Sequence, residues 1–247
     1  MRIALLGDFD RGTLSHWASE AALYHAAARL GTAVELRWIS TPAVAEAGDV
    51  SAALAGFDAI WGVPGGPFES ATGMLNGIAH ARRARVPYLG TCAGFQYALI
   101  ELSRNVLGLA DADTAENASG SAHVVITPVA CPLPGRRPGG PAMSGGDGVR
   151  VVAGTRLAEL CGGGDLTEEY FCNYETNAAY VPRWEAEAGL RVAARGAGGE
   201  MRAFELPDHP FFLATLFQPQ RSSRSDRPHP IIEGFLRIAL TSAHRRV

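Results

Sequence analysis

The chain contains no lysine: all 22 of its Lys-plus-Arg residues are arginine. Schiff-base chemistry on a lysine is excluded, and so is a phosphate-binding P-loop, since no G-x-x-x-x-G-K-[ST] pattern occurs. Basic runs are missing too. With 25 acidic residues the formal net charge is −3, which leaves nucleic-acid or anionic-membrane binding without electrostatic support. Cysteine is scarce. Cys92, Cys131, Cys161 and Cys172 are widely spaced with no C-x-x-C pair, so neither a zinc knuckle nor a disulfide framework is indicated. No metal and no cofactor is expected, and reduced thiols point to a cytoplasmic location. No apolar run approaches the length of a membrane span. The N-terminal MRIALLGDFDRG is too short in its apolar part for a signal peptide and reads as a first strand. What is present is an ordinary globular balance: 247 residues, 47% hydrophobic and 19% charged, enough for a sizeable core.

Along the chain, RIALLG (2–7) is a continuous apolar run ending in glycine, the pattern of a buried parallel strand. Residues 13–30 carry apolar side chains at helical spacing, with Leu14, Trp17, Ala18, Ala21 and Ala22 as the expected inward face and Gly31 as a stop. Strands are expected at 33–40, 57–66 and 86–91, and helices at 73–85 and 93–108. This strand–helix rhythm argues for a parallel sheet covered on both faces. The second half differs. AHVVITPV (122–129) reads as a strand, and 131–148 is a Pro/Gly-rich loop, a candidate mobile lid. Short strand-like runs follow: VRVVAG, LRVAARG, MRAFELP and FFLATLF. The final helix, 228–246, is expected to pack through Ile231, Phe235, Leu236 and Leu240. No internal repeat is present, and one domain over 1–247 is the expectation.

The chemistry concentrates in VPYLGTCAGFQ. Gly90 and Gly94 flank Cys92 symmetrically, a G-x-nucleophile-x-G pattern placed between a strand and a helix. At such a turn the side chain stands above the sheet edge, the helix N-terminus favours a thiolate, and the next amide can donate to an oxyanion. A small buried core cysteine is the alternative. In VPGGP (63–67), Gly65 and Gly66 allow backbone amides to point into a site, so Gly66 and Ala93 are the candidate oxyanion donors, although a plain glycine-rich turn has the same look.

From residue 57 to the C-terminus, and more weakly before it, the sequence resembles the glutaminase half of the CTP synthases, which are class-I glutamine amidotransferases. The resemblance is carried by GVPGGPFES, by GMLNGIAHARRARVPYLGTCAGFQYALIELSRNVLGL, by CNYETN (172–177) against the family's H-R-Y-E-V-N, and by HPFFLATLFQPQRSSRSDRPHPII (209–232). It implies a three-layer α/β/α fold, flavodoxin-like, with a mostly parallel central sheet and the elbow between 86–91 and 93–108. The ATP- and UTP-binding synthetase half has no counterpart in these residues. It also implies that Cys92 attacks a side-chain amide, that Gly66 and Ala93 hold the oxyanion, and that Gln96 and Glu101 line the glutamine pocket or its floor. Cys172, Asn173 and Tyr174 fall on the matching pocket wall.

The departures bear most on function. The family's H-P-E reads Gln218-Pro219-Gln220 here, so the activating base and its orienting carboxylate are both amides, and an amide accepts no proton at neutral pH. The family's carboxylate-binding arginine reads Asn173, and a bidentate charge clamp is lost. His16, Glu69 and Glu175 are candidate replacement bases, with a solvated helix turn the ordinary alternative for His16 and a turn cap for Glu69. Cys172 is a candidate second thiol facing Cys92. His209 and His229 precede prolines and read as turn residues. Phe95, Tyr170 and Phe171 suggest a less charged substrate than glutamine. The expectation is a cysteine-dependent amide or acyl hydrolase or transferase on a small molecule other than free glutamine. The alternatives are a residual glutaminase with a replaced or partner-supplied base, in which case a partner enzyme is involved, and a non-catalytic binding protein.

Overall fold

The computed structural model describes residues 1–118, 120–133, 136 and 139–244. The first half alternates strands and helices: β1 (Arg2–Leu6), α1 (Leu14–Arg29), β2 (Glu35–Ile39), α2 (Thr41–Glu46), α3 (Val50–Ala53), β3 (Ala59–Gly62), α4 (Ala71–Arg83), β4 (Tyr88–Thr91) and α5 (Ala93–Asn105). The second half is richer in strands: β5 (Asp113–Thr114), β6 (Val124–Pro128), β7 (Met143–Val151), α6 (Arg156–Cys161), β8 (Asp165–Cys172), β9 (Tyr174–Thr176), α7 (Val181–Glu187), β10 (Arg191–Arg195), β11 (Met201–Glu205), β12 (Phe212–Thr215) and α8 (Pro230–His244).

The main sheet has nine strands in the order β2-β1-β3-β4-β12-β11-β10-β7-β8, and β5-β6-β9 form a small second sheet. From β2 to β12 neighbouring strands are parallel, and from β12 to β8 they are antiparallel. Every residue of β3, β4 and β12 is buried, as expected of parallel strands covered on both faces. The steps β1→β2 and β3→β4 run in opposite directions across the sheet, so right-handed crossovers place α1 and α4 on opposite faces. Helices α1, α6 and α8 pack together on one side, α2, α4 and α5 on the other. This is the three-layer α/β/α arrangement expected from the sequence.

Two expectations change. Helix α1 is turned from the predicted face: Leu14 and Trp17 are 65% and 49% exposed, and the buried residues are Ser15, His16, Ser19, Ala22, Leu23, Ala26 and Ala27. That inward stripe is mostly small side chains, which allow close packing against α8 and the turn Pro219–Arg221. The loop expected over 131–148 ends earlier, because β7 begins at Met143 and pairs in register with β8 from Met143↔Cys172 to Arg150↔Asp165. Three glycines, Gly145, Gly146 and Gly148, hid this strand, since pairing, not side-chain alternation, makes it a strand. The lid expectation falls partly on 134, 135, 137 and 138, outside the described residues. Among the described residues no helix is long and apolar enough to cross a membrane.

The elbow rests on one close approach. A Cβ on Gly94 would lie 2.0 Å from the Gly62 carbonyl oxygen, and one on Gly90 would lie 2.9 Å from the Gly94 carbonyl oxygen. Backbone cannot yield there as a flexible side chain would. Gly94→Ala is therefore expected to cost about 3 kcal/mol or more, at the upper end for overpacking, read as a lower urea midpoint. An unchanged midpoint would contradict this packing.

Candidate active site

The carboxyl ends of β3, β4 and β12 converge, and the chain leaving each one supplies part of a cavity of about 320 Å³. Ligand sites in open α/β sheets form at this edge. After β3 come Pro64, Gly65 and Gly66, after β4 come Cys92 and Ala93, and after β12 comes Gln218. The end of β8 adds Phe171 and Cys172, followed by Asn173 and Tyr174.

Cys92 has φ 52° and ψ −107°. A non-glycine residue in the left-handed half of the map costs on the order of 1–3 kcal/mol and persists only where its surroundings impose it. The Cys92 amide donates to the Thr215 carbonyl at 2.9 Å, and its own carbonyl accepts from the amides of Phe95 and Gln96 at 3.1 Å each. The backbone is thus tied both to β12 and to the first turn of α5. A Cβ on Gly66 would lie 3.2 Å from the Ala93 Cβ, so the two residues expected to hold an oxyanion are neighbours on the cavity wall.

The turn bearing Gly66 is braced from below. The Asp8 carboxylate accepts from the Thr41 amide and the Glu69 amide, both at 2.8 Å, and from the Thr41 hydroxyl. His16 is buried beneath the turn. Its Nδ1 accepts from the Asp10 amide at 3.0 Å, so Nε2 carries the proton and donates to the Pro64 carbonyl at 2.9 Å. Both ring nitrogens are engaged, and His16 holds the turn in place. Glu69 is exposed at the surface. Glu175 pairs with Arg202 at 2.9 Å and accepts from the Ala130 amide, facing a different cavity.

The groups in hydrogen-bond contact with the Cys92 thiol are therefore the important ones. Its sulfur lies 3.6 Å from the carbonyl oxygen of Phe171, the residue before Cys172, and the two cysteines line the same cavity. Interaction with the neighbouring Cys172 thiol, then burial, raise the Cys92 thiol well above its ordinary value, against the opposing pull of the Ala93 amide and the Gln218 side chain. Cys172 moves the other way. Interaction with Cys92 lowers it most, and the Tyr174 backbone and the Gln96 side-chain amide, 3.1 Å from its sulfur, add to this against the cost of burial and the nearby Glu116. The two shifts run in opposite directions, so Cys172 is the more readily deprotonated member of the pair. Gln218 is oriented as a donor here. Its Oε1 accepts from the Ser15 hydroxyl at 2.5 Å, which turns Nε2 towards the Phe171 carbonyl at 3.5 Å and towards Cys92.

The remaining expected site residues divide. Asn173 lines the cavity, and its Oδ1 accepts from the Ala142 amide at 2.9 Å. Gln96 lines it and also donates to the Tyr174 carbonyl at 3.1 Å. Glu101 does not line it: it is fully buried in a bidentate pair with Arg82, at 2.7 and 2.9 Å. Gln220 is buried away from the cavity, with no partner for either amide atom. Phe95 packs on Phe204 and Tyr170 on Phe217, both in the core, so of the three aromatics only Phe171 faces the site.

Sequence reading missed Thr13, Ser15 and Glu116. Ser15 was hidden by the apparent apolar face of α1. Glu116 sits in a short turn capped by the Thr114 hydroxyl, and its carboxylate would lie 3.3 Å from a Cβ on Gly66. Burial raises its pKa. Among the described residues lining this cavity, Glu116 is the one Asp, Glu, Arg or His side chain. No group of three His, Cys, Asp or Glu side chains converges to hold a metal among the described residues.

The family model for class-I glutamine amidotransferases matches residues 18–130. The CTP synthase of Pyrobaculum aerophilum is 38% identical over 224 residues, 89% of this chain and 41% of that protein. The CTP synthase of Methanopyrus kandleri is 34% identical over 97% of this chain and 45% of that protein. The chain thus spans less than half the length of these relatives. Among solved structures, the Trypanosoma brucei CTPS glutaminase domain with bound acivicin superposes with a TM-score of 0.86 at 28% identity, covering 98% of this chain and 94% of that one. The fold, the elbow and these likenesses together place the chain in the class-I glutamine amidotransferase family, beside the CTP synthase glutaminase domains.

Proposed function

We propose that the protein is a cysteine-dependent amide or acyl hydrolase or transferase whose substrate is a small amine-bearing molecule without a carboxylate, and not free glutamine. The observation that carries this reading is the combination of Cys92 in its constrained elbow with a cavity in which, among the described lining residues, Glu116 is the one carboxylate and no arginine or histidine is present. A carboxylate favours an ammonium or amine. Free glutamine brings its own carboxylate, and with Asn173 in the arginine position that group meets no cation among the described residues lining the cavity. Losing a charge-assisted hydrogen bond of this kind costs roughly 1.5–3 kcal/mol.

The proton needs an acceptor, and Cys172 lines the same cavity, next in sequence to the Phe171 carbonyl that the Cys92 sulfur meets. As Cys92 attacks the substrate carbonyl, its proton passes to the Cys172 thiolate. The amides of Gly66 and Ala93 receive the developing oxyanion. The departing amine then takes the proton from Cys172, and water or a second amine resolves the thioester on Cys92. The two thiols thus share the work that one imidazole does in a cysteine–histidine pair. Gln218 and Asn173 contribute polar contacts without charge.

Hydrolysis of amine-bearing amides, followed by product release, should be abolished by Cys92→Ala; a variant as active as the parent would refute the reading. Cys172→Ser should lower kcat/KM by about 10²–10⁴, the usual contribution of a general base, and unchanged kcat/KM would remove Cys172 from the mechanism. Glu116→Gln should raise KM for an amine-bearing substrate roughly tenfold or more, the range for a bond to a charged group, and leave KM for an uncharged analogue in place. Equal effects on both substrates would show that Glu116 does not read the amine. Free glutamine run in the same assay distinguishes the residual-glutaminase alternative, which requires ammonia release that this reading does not expect.

A further inference from the structure

We propose that Cys172 and Cys92 also form a reactive dithiol–disulfide couple that is oxidised by a peroxide, with Cys172 as the attacked thiol and Cys92 as the resolving one. This second activity uses the thiols of the proposed active site but does not require amide turnover.

The geometry is specific to this pair. Both cysteines line the same cavity, which a small oxidant can enter, and the Cys92 sulfur lies 3.6 Å from the carbonyl oxygen of Phe171, the residue that precedes Cys172. The Gln96 side chain donates to the Cys172 sulfur at 3.1 Å, and the amides of Ala93 and Gln218 face the Cys92 sulfur. Three N–H donors therefore surround a pair of sulfurs that no histidine separates, because Gln218 stands where an imidazole would. A thiolate held by fixed N–H donors is the form that attacks a peroxide. The other two cysteines lack this setting. Cys161 is pushed up to about 12 by burial and by Glu168, and Cys131 is exposed on the far side of β9, beside the other cavity.

The chemistry balances in two steps. The Cys172 thiolate attacks one peroxide oxygen, the O–O bond breaks, and Cys172 becomes a sulfenic acid as hydroxide leaves. The Cys92 sulfur then attacks the Cys172 sulfur. Its proton and the sulfenic hydroxyl depart as water, and an S–S bond forms. In sum, two thiols and one hydrogen peroxide give one disulfide and two waters, with two electrons passing from sulfur to oxygen. A small dithiol reductant reverses the result by exchange. While oxidised, Cys92 is blocked as a nucleophile.

The full chain is treated with one equivalent of hydrogen peroxide, alkylated, and examined by intact mass and by peptide mapping. The expected result is the loss of two hydrogens and a crosslinked Cys92–Cys172 peptide, both reversed by dithiothreitol and both retained in a Cys131→Ser, Cys161→Ser variant. Sulfinic acid on either thiol with no crosslink would overturn the couple. In Cys92→Ser, Cys172 should persist as a sulfenic acid trapped by a 1,3-diketone; a Cys172 that fails to trap would overturn its role as the attacked thiol. Cys172→Ser should slow peroxide consumption about tenfold or more, since the remaining buried thiol is mostly protonated, and unchanged consumption would also overturn it. Crosslinking without any amide turnover would refute the hydrolase reading alone, and amide turnover without crosslinking would refute the couple alone.

Discussion

The contact between α5 and β3 at Gly94 and Gly62 sets the rest of the site. Because no Cβ intervenes, the helix meets the strand backbone to backbone, and the chain can turn within one residue from β4 into α5. Cys92 is that residue. Its left-handed backbone follows from the turn, and its position above the sheet edge follows from its backbone. The same approach brings Ala93 beside Gly66, so the amides on the two sides of the cavity depend on it as well. Asp8 and His16 hold the Gly66 turn from beneath, which makes His16 a support of the site and not a reacting group in it.

A second level of organisation concerns where charge can reside. In a cavity with one carboxylate and several amides, a proton on Cys92 has few destinations. Gln218 donates towards the sulfur, Asn173 is occupied by the Ala142 amide, and His16 is engaged on both nitrogens. Cys172 remains, and its donors shift the shared charge towards it. Replacing charged and basic groups with amides therefore does not leave an inert cavity. On the proposed reading it makes one thiol the acid–base partner of another, and that pairing underlies both the proposed acyl chemistry and the proposed reaction with peroxide.

The layered fold was legible because the buried strands are unbroken apolar runs and because Gly90 and Gly94 flank Cys92 at the spacing an elbow needs. The exposed side of α1 was not legible. Its largest apolar residues, Leu14 and Trp17, point to solvent, while small serines and alanines face a tight interface. Strand β7 was hidden by glycines whose strand state comes from pairing with β8. At the site, the positions of Cys172 and Asn173 followed from the motif they occupy, but Glu116 came from a short turn with no local signal. Glu101 stood at a motif position and proved to be the partner of Arg82. Spacing along one element is readable from sequence, whereas convergence of separate turns on one cavity is set by the sheet.

The proposed chemistry requires that Cys92 and Cys172 share one proton, with the charge on Cys172. The direct measurement is the ultraviolet absorbance of thiolate as a function of pH, taken as the difference between the protein and its Cys172→Ser variant, and repeated on a Cys92→Ala background. The account expects a thiolate that forms below the ordinary cysteine value of about 8.5 and that requires Cys92, so the transition moves upward once Cys92 is removed. A Cys172 that titrates at or above the ordinary value, with or without Cys92, would contradict it.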